Sequence, residues 1–480
     1  MLELLLLFLC LPCMAQRVVT VNTDCRLQTV EGWGISLCWW AKEAGTWPEE
    51  DVNQLVDWLV SPEGLNYNVF RYNIPGGDDP KHRNCKPDHM KGMKGLRAAM
   101  KGFKEDENSP YDWNADEAQI RILRKIVSRC QHYGKRAIIE AFANTPPWWM
   151  TVSGCCAGAD SPTATNLHPD YYDDYAQYLV DVCQHFRDAE GIEFHSLAPF
   201  NEPNTDYWHK GGTQEGCGFL PADQVRFLND YLAPRLARSC LKTVISASDE
   251  TNEKKSLETW SVYEEDAAAL ESVAQWNTHS YGYSPVKSEQ SRSQCRTALG
   301  NKVRARGKTL WMSETGGGGR GIMGNLGVAK TLFDDMRYLQ PSVWCDWQYV
   351  DSGNQWCLIT CSGNVDGYRP PFKRNKNYFV RAQVTRNITP GYVVVETSDD
   401  SVLAAISPDG KTLVVCLLNR SADDERICLN VQGFGRGAMK VKSATVTSRS
   451  QNMEELQCDD AKDIVVRGRS IVTIVCSLTP

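Results

Sequence analysis

Two glutamates in this 480-residue chain stand where carboxylates can do chemistry. Glu202 follows the apolar run Leu197-Ala198-Pro199-Phe200 within Asn201-Glu202-Pro203, and Glu314 lies in Trp311-Met312-Ser313-Glu314-Thr315-Gly316. A carboxylate that leaves the end of a barrel strand stands at the barrel's mouth. Two such groups facing each other can divide a displacement at an acetal carbon into two steps. One attacks the carbon, while the other protonates the departing oxygen and later activates water. Each motif is short, and capping a helix or turning a loop is the plain alternative for either. Their force lies in the pairing, which depends on the strands that carry them.

Eight apolar, β-rich runs are candidates for those strands: residues 30–36, 68–74, 137–142, 194–200, 243–247, 274–280, 309–313 and 342–349. Most are apolar on both faces, as parallel strands covered on both sides are. Helical periodicity fills the gaps. Within residues 114–130, Ile120, Leu123, Ile126 and Val127 share a face, and Asn114 with Glu117 reads as a capping box. Pro221 opens another helix, with Val225, Leu228 and Leu232 on one stripe. Strand-then-helix repeated eight times predicts an α/β fold, a (β/α)8 TIM barrel over residues 30–380, in preference to an open doubly wound sheet. Glu202 then ends the fourth strand and Glu314 the seventh. Over residues 381–480 the pattern becomes short alternating runs broken by turns such as Ser407-Pro408-Asp409-Gly410, which predicts an all-β sandwich as a side domain. Residues 17–29 precede the barrel, and their strand-like start is expected to join that sandwich, since a lone strand is not stable.

Composition sets limits. A hydrophobic share of 42% and a charged share of 23% are those of a soluble globular protein. The net charge of −7 is made of interspersed acids and bases, without the concentrated basic surface that nucleic acid requires. Residues 1–16 read as a cleaved signal peptide: the apolar run 4–11 is too short to span a bilayer, and Cys13-Met14-Ala15 ends on a small residue, although Glu3 occupies the usual place of a basic one. Pro12 before Cys13 fits lipid acylation poorly, so a secreted or periplasmic protein without an anchor is expected. No later stretch is long enough for a membrane span. Beyond the leader an odd number of cysteines remains, and export implies that some pair. The adjacent Cys155 and Cys156 with Cys217, or Cys345, Cys357 and Cys361, are candidates. Cys357 and Cys361 are the only close non-adjacent pair, and no Cys or His doublet completes a four-ligand set, so neither metal nor cofactor is expected. A monomer is the expected state.

The sequence also resembles glycoside hydrolase family 30, within a clan of retaining barrel glycosidases. The matching segments are Glu31-Gly32-Trp33-Gly34, Arg71-Tyr72-Asn73-Ile74, Thr145-Pro146-Pro147-Trp148, Asn201-Glu202-Pro203, Thr278-His279-Ser280-Tyr281, Ser313-Glu314-Thr315, Lys376-Asn377-Tyr378 and residues 387–391. The resemblance implies an oligo- or polysaccharide substrate, Glu202 as acid/base and Glu314 as nucleophile. Asn201 would bond the sugar 2-hydroxyl, and Tyr281 would orient the nucleophile. His279 would touch substrate or Glu314, or simply be a satisfied wall histidine. Arg71 would keep Glu314 ionised or make a structural salt bridge. Trp148 and Trp347 would form platform and wall for the sugar, and Asp78, with Asp79 as its competitor, would fix hydroxyls. Trp39, Trp40, Trp149, Trp208 and Trp344 extend the groove or pack in the core. The Lys-rich segment 81–113 would shape substrate preference, and residues 316–319 would form a flexible lip. The opening segment Gly32-Trp33-Gly34-Ile35-Ser36-Leu37-Cys38-Trp39-Trp40-Ala41 resembles the endo-β-1,6-galactanase branch. Other branches cut β-1,6-glucan, xylan or glucosylceramide. A carbohydrate-binding protein without turnover is the alternative of another class, and the presence of both glutamates argues against it.

Overall fold

The computed structural model describes residues 16–81, 83–85, 100–282, 289–319, 321–353, 356–364, 367–434 and 438–479. The expected signal segment, save residue 16, and much of segment 81–113 lie outside the described residues. After β1 (Gln16–Thr29) the chain builds β2 (Gly32–Ser36), β3 (Val69–Asn73), β4 (Ile138–Phe142), β5 (Ser196–Ala198), β6 (Val244–Glu250), β7 (Val273–His279), β8 (Thr309–Thr315) and β9 (Val343–Asp346). These last eight pair in parallel in chain order, and β2 returns to β9 with Gly32 opposite Val343, closing the barrel. All eight expected runs are strands. Each carries helix before the next strand, and the apolar stripes face inward, as in the helix Glu117–His132 with Ile120, Ile122, Leu123 and Ile126 buried. Asn114 does not cap that helix. Asp116 occupies the N-cap position, and Asn114 instead lends its carbonyl to the N–H of Glu117 at 3.2 Å.

The barrel interior departs from the expected apolar filling. Glu140 on β4 is fully buried at the centre of a polar layer. One or both of its oxygens accept from Ser196 Oγ (2.8 Å), Ser246 Oγ (2.9 Å), Gln275 Nε2 (2.9 Å), Asn277 Nδ2 (2.9 Å) and Arg71 Nε (2.8 Å). A buried carboxylate is tolerable only when so fully satisfied. Strand runs with an inward Arg, Glu, Ser, Gln or Asn therefore still belong to a barrel, because these residues satisfy one another. Gly34 on β2 sits where a Cβ would come within 2.6 Å of Cys345 Sγ and 2.7 Å of the Val69 carbonyl, so only glycine lets these strands close.

A small sheet follows, β10 (Val350–Asp351), β11 (Ile359–Asn364) and β12 (Gly367–Arg374). The helix Lys376–Thr385 runs across residue 381 and packs both on the barrel helix Ile322–Asp334 and on the side domain, whose C-terminal strands begin after it. The side domain comprises β13 (Val393–Thr397), β14 (Val402–Ile406), β15 (Thr412–Asn419), β16 (Glu425–Gln432), β17 (Ala438–Thr447), β18 (Glu454–Glu455), β19 (Ile464–Val466) and β20 (Ser470–Thr479). β1 lies between β13 and β16, antiparallel to the first and parallel to the second with Gln16 opposite Arg426. Hydrogen bonding is continuous through all nine strands, in the order β18-β17-β20-β15-β14-β13-β1-β16-β19. The two expected layers are thus one curled sheet. β19 at its end packs back on β15 and β20, enclosing a core that includes Val19, Val21, Val415, Leu429, Val466 and Ile474. Among the described residues no helix is long and apolar enough to cross a membrane.

Cysteine pairing differs from expectation. Cys155 bonds Cys85, joining the segment after β3 to the loop after β4, while Cys156, Cys217, Cys345 and Cys361 are free and buried, and the buried Cys357 thiol meets the Asp351 carbonyl. Their buried places leave them as small core side chains.

Candidate active site

The C-terminal ends of the barrel strands open into a cleft of about 770 Å³. Its lining includes Trp39, Asn144, Asn201, Glu202, Tyr207, Thr251, Tyr281, Glu314, Trp347 and Trp356. Glu202 follows β5 and Glu314 lies within β8, the fourth and seventh barrel strands. An oxygen of each and a ring nitrogen of His279 all lie within 4.8 Å of one another. Both glutamates are nearly buried, 9% exposed for Glu202 and 4% for Glu314.

Local backbone aims the first carboxylate. Glu202 has φ of 49°, and Asp249 beyond it on β6 has φ of 62°, a left-handed conformation that costs a non-glycine residue on the order of 1 kcal/mol. The Glu202 N–H donates to the Asp249 carbonyl at 2.9 Å, and Trp208 Nε1 donates to the Glu202 carbonyl at 2.9 Å. Together they hold the turn. Tyr207 Oη donates to Glu202 Oε2 at 2.5 Å and also lies 2.8 Å from Thr251 Oγ1. His279 Nδ1 is 3.1 Å from Glu202 Oε1.

The second carboxylate is held as firmly. Tyr281 Oη donates to Glu314 Oε1 at 2.9 Å and Arg71 Nη1 to Oε2 at 3.1 Å. Arg71 is fully buried and divides its guanidinium among Glu314, Glu140 and Asp249. Arg71 acts on Glu314 in the expected direction but does not prevail. Burial pushes the Glu314 carboxyl well above the ordinary glutamate value, with Glu202 and Asp249 adding to the rise, and His279 and Arg71 only moderate it. A cation shared by three acids does not win against desolvation. Asp249 fares otherwise. Burial opposes its charge, yet Arg71, His279 and Ser313, whose Oγ donates to it at 2.5 Å, hold it well below the usual range.

His279 is fully buried and lies among acids. Its Nδ1 is 3.7 Å from Glu314 Oε1, and its Nε2 is 3.1 Å from Asp249 Oδ1. Burial disfavours its charge, but Glu314 and Asp249 outweigh that and push it up to about 10. It is therefore an imidazolium at neutral pH, buried out of reach of substrate.

The other expected residues divide. Asn201, Tyr281 and Trp347 line the cleft, and Trp347 stands edge-on to Trp39 at 5.1 Å. Trp148 does not line it. Its Nε1 donates to the Glu105 carbonyl at 2.9 Å and Arg83 lies 5.1 Å above its ring, so the loop tied by Cys85–Cys155 consumes it. Asp78 is also absent from the lining and meets the Cys156 thiol. Asp79 takes the N–H groups of Lys81 and Arg83 and the Arg83 side chain. Of the further tryptophans only Trp39 reaches the cleft. Trp40 and Trp344 are core, with Nε1 on the Ser36 carbonyl and Asp335. Trp208 supports Glu202 from behind, and Trp149 packs edge-on against Tyr171. Residues missed from sequence are Asp249, Tyr207, Asn144 and the exposed Trp356, whose ring lies 5.8 Å from that of Tyr281. Only Asp249 carried a readable signal, as an acid at the end of the fifth strand.

Comparison with known proteins identifies this arrangement. A model described as O-Glycosyl hydrolase family 30 matches residues 16–356. The chain belongs to that family. An endo-β-1,6-galactanase of Hypocrea rufa is 30% identical over 84% of this chain and 81% of its own length. Two solved structures share the fold. One is a conserved exported protein of Bacteroides fragilis (TM-score 0.81, 20% identity, 96% of this chain and all of that one). The other is a family 30 subfamily 8 xylanase of Clostridium acetobutylicum (TM-score 0.68, 19% identity, 96% of this chain and 99% of that one). This family 30 chain is an O-glycoside hydrolase with a (β/α)8 barrel and a separate all-β domain.

These shifts give a testable pH dependence. If Glu314 is the attacking carboxylate, it must be ionised, and kcat/KM on a soluble glycoside should rise with pH through a value well above the ordinary glutamate range. Replacing His279 by Gln removes a cation that lowers Glu314, so the acidic limb should move to still higher pH. A limb near pH 4 in both proteins would contradict the buried-acid cluster.

Proposed function

We propose that this family 30 enzyme is secreted and cleaves β-1,6-linked galactan with net retention, Glu314 acting as nucleophile and Glu202 as acid/base. The observation that carries the mechanism is the approach of the two carboxylates to within 4.8 Å, oxygen to oxygen. Retaining pairs stand about 5–5.5 Å apart, whereas inverting pairs need roughly 6.5–9.5 Å to admit a water. Glu314 attacks the anomeric carbon, with Tyr281 and Arg71 fixing its two oxygens. Glu202 protonates the leaving oxygen and then deprotonates the water that hydrolyses the glycosyl ester. Asn201 beside it supplies the contact to the 2-hydroxyl. Trp39 and Trp347, set at right angles, give apolar faces for the sugar and exclude water from the developing charge.

The galactan reading rests on the 30% identity to an endo-β-1,6-galactanase over most of both chains, together with the resemblance of the first strand and its loop. Secretion rests on the leader-like start. The test is a panel of β-1,6-galactan, β-1,6-glucan and xylan at matched chain length, with the anomer of fresh product read by NMR. At least about tenfold preference in kcat/KM for the galactosyl chain, with a retained anomer, is expected. Equal rates on the glucan, or cleavage of xylan alone, would overturn the substrate. An inverted anomer would overturn the mechanism.

A further inference from the structure

Asn144 follows the third barrel strand, β4, and lines the cleft while only 3% exposed. Its amide cannot turn freely. Nδ2 donates to Asn73 Oδ1 at 3.1 Å and to Cys38 Sγ at 3.5 Å. Asn73 Nδ2 in turn donates to Glu215 Oε2 at 3.4 Å, and Glu215 Oε1 accepts the N–H groups of Gly76 and Gly77 at 3.2 Å each. Glu215 is 2% exposed, and burial pushes its carboxyl up to about 8; in its ionised form it takes only N–H donors here. Asn73 must therefore present nitrogen to it and oxygen to Asn144, and Asn144 must answer with nitrogen. Both hydrogens of Asn144 Nδ2 are thereby committed, and Oδ1 is the amide's remaining function. Gly76 is pressed against the Asn144 loop as well, since a Cβ there would fall 2.5 Å from Thr145 Cγ2. A buried carboxyl, two amides and two backbone N–H groups thus fix the direction of one acceptor.

The ring of strands says what that acceptor meets. In the closed order β2 to β9, β4 stands opposite β8, which carries Glu314. A pyranose whose anomeric carbon rests on Glu314 can turn its far edge, C3 and C4, toward β4. We infer that Asn144 Oδ1 accepts a hydrogen bond from a hydroxyl on the C3–C4 edge of the sugar attached to the nucleophile, and that Glu215 is the positioning residue that fixes it. The inference rests on the two-glutamate reading of the site. It replaces Asp78 and Asp79, which the fold directs elsewhere, as the polar contact for that edge.

The test is a cycle between enzyme and substrate. The substrates are aryl β-1,6-galactobiosides, either intact or deoxygenated at C3 or C4 of the sugar bearing the aryl group. Asn144→Ala should lower kcat/KM on the intact compound by roughly tenfold to a hundredfold, and by no more than about twofold on the compound lacking the contacted hydroxyl. Coupling at C4 makes Asn144 a residue that separates galactose from glucose, and coupling at C3 makes it a contact common to both. Equal losses on all three compounds overturn the inference. Glu215→Gln cannot accept from the glycine N–H groups and Asn73 alike, so it should weaken the same coupling while Asn144 remains in place. An unchanged coupling in that variant would remove Glu215 from the role. If the unmodified enzyme cleaves only glucosyl compounds, the galactan reading fails, and the same cycle run on that series still decides the role of Asn144.

Discussion

Glu314→Gln should lower kcat on every glycoside by at least about 10⁴-fold, with oligosaccharide affinity and melting temperature little changed. The size follows from covalent catalysis. An amide cannot form the glycosyl ester, and the two acids that share Arg71 with Glu314, Asp249 and Glu140, are fully buried and do not line the cleft. Fold and binding survive because glutamine keeps the volume, and one of Tyr281 and Arg71 retains its acceptor. Shortening to glycine gives the sharper readout. Azide can enter the space left beside Tyr281 and attack an activated aryl glycoside from the nucleophile's face. Aryl oxide leaves, and a glycosyl azide of inverted configuration forms. A glycosyl azide of retained configuration from this variant would exchange the roles of Glu314 and Glu202.

The features legible in the sequence were those set by local pattern. Eight apolar runs became eight strands because continuous hydrophobicity reports burial on both faces. Both glutamates were legible because strand ends are the one place where loop chemistry is fixed by the fold. What failed was set by contacts distant in sequence. Trp148 looked like a sugar platform, but Arg83 and Glu105 hold its ring within a loop whose path depends on Cys85 meeting Cys155. Asp78 and Asp79 look equivalent as neighbours, yet one meets a buried thiol and the other closes a turn around Arg83. Asn144 and Tyr207 lie just outside the motifs Thr145-Pro146-Pro147-Trp148 and Asn201-Glu202-Pro203. Their meaning comes from their partners: Asn73, which also holds Glu215, for the first, and Glu202, five residues back in the same loop, for the second. The polar layer inside the barrel was invisible for a related reason: Arg71 stood out singly, but Glu140 and Asn277 are tolerable only as a set with it, and a linear reading sees them one at a time.

The loss in Glu202→Gln should depend on the leaving group, about 10²- to 10⁴-fold for a sugar and only a few fold for dinitrophenolate in the first step. Proton donation matters only when the departing oxygen is basic. In the proposed mechanism the surroundings of Glu202 suit this task. Its Oε1 faces the His279 imidazolium, so the acid proton belongs on Oε2, beside Tyr207. When Oε2 carries that proton, the Tyr207 hydroxyl can direct its own to Thr251 Oγ1, 2.8 Å away, leaving the acid free to serve the substrate. When Glu202 is ionised, the phenol turns back and steadies the charge. With dinitrophenyl glycosides the glycosyl ester of the variant should accumulate, since the general base for its hydrolysis is gone. Glu202→Ala with azide should release it as a glycosyl azide of retained configuration, because the anion attacks from the face the leaving group vacated. Losses of equal size for sugar and dinitrophenyl leaving groups, measured as pre-steady-state bursts, would show that Glu202 does not act as the proton donor.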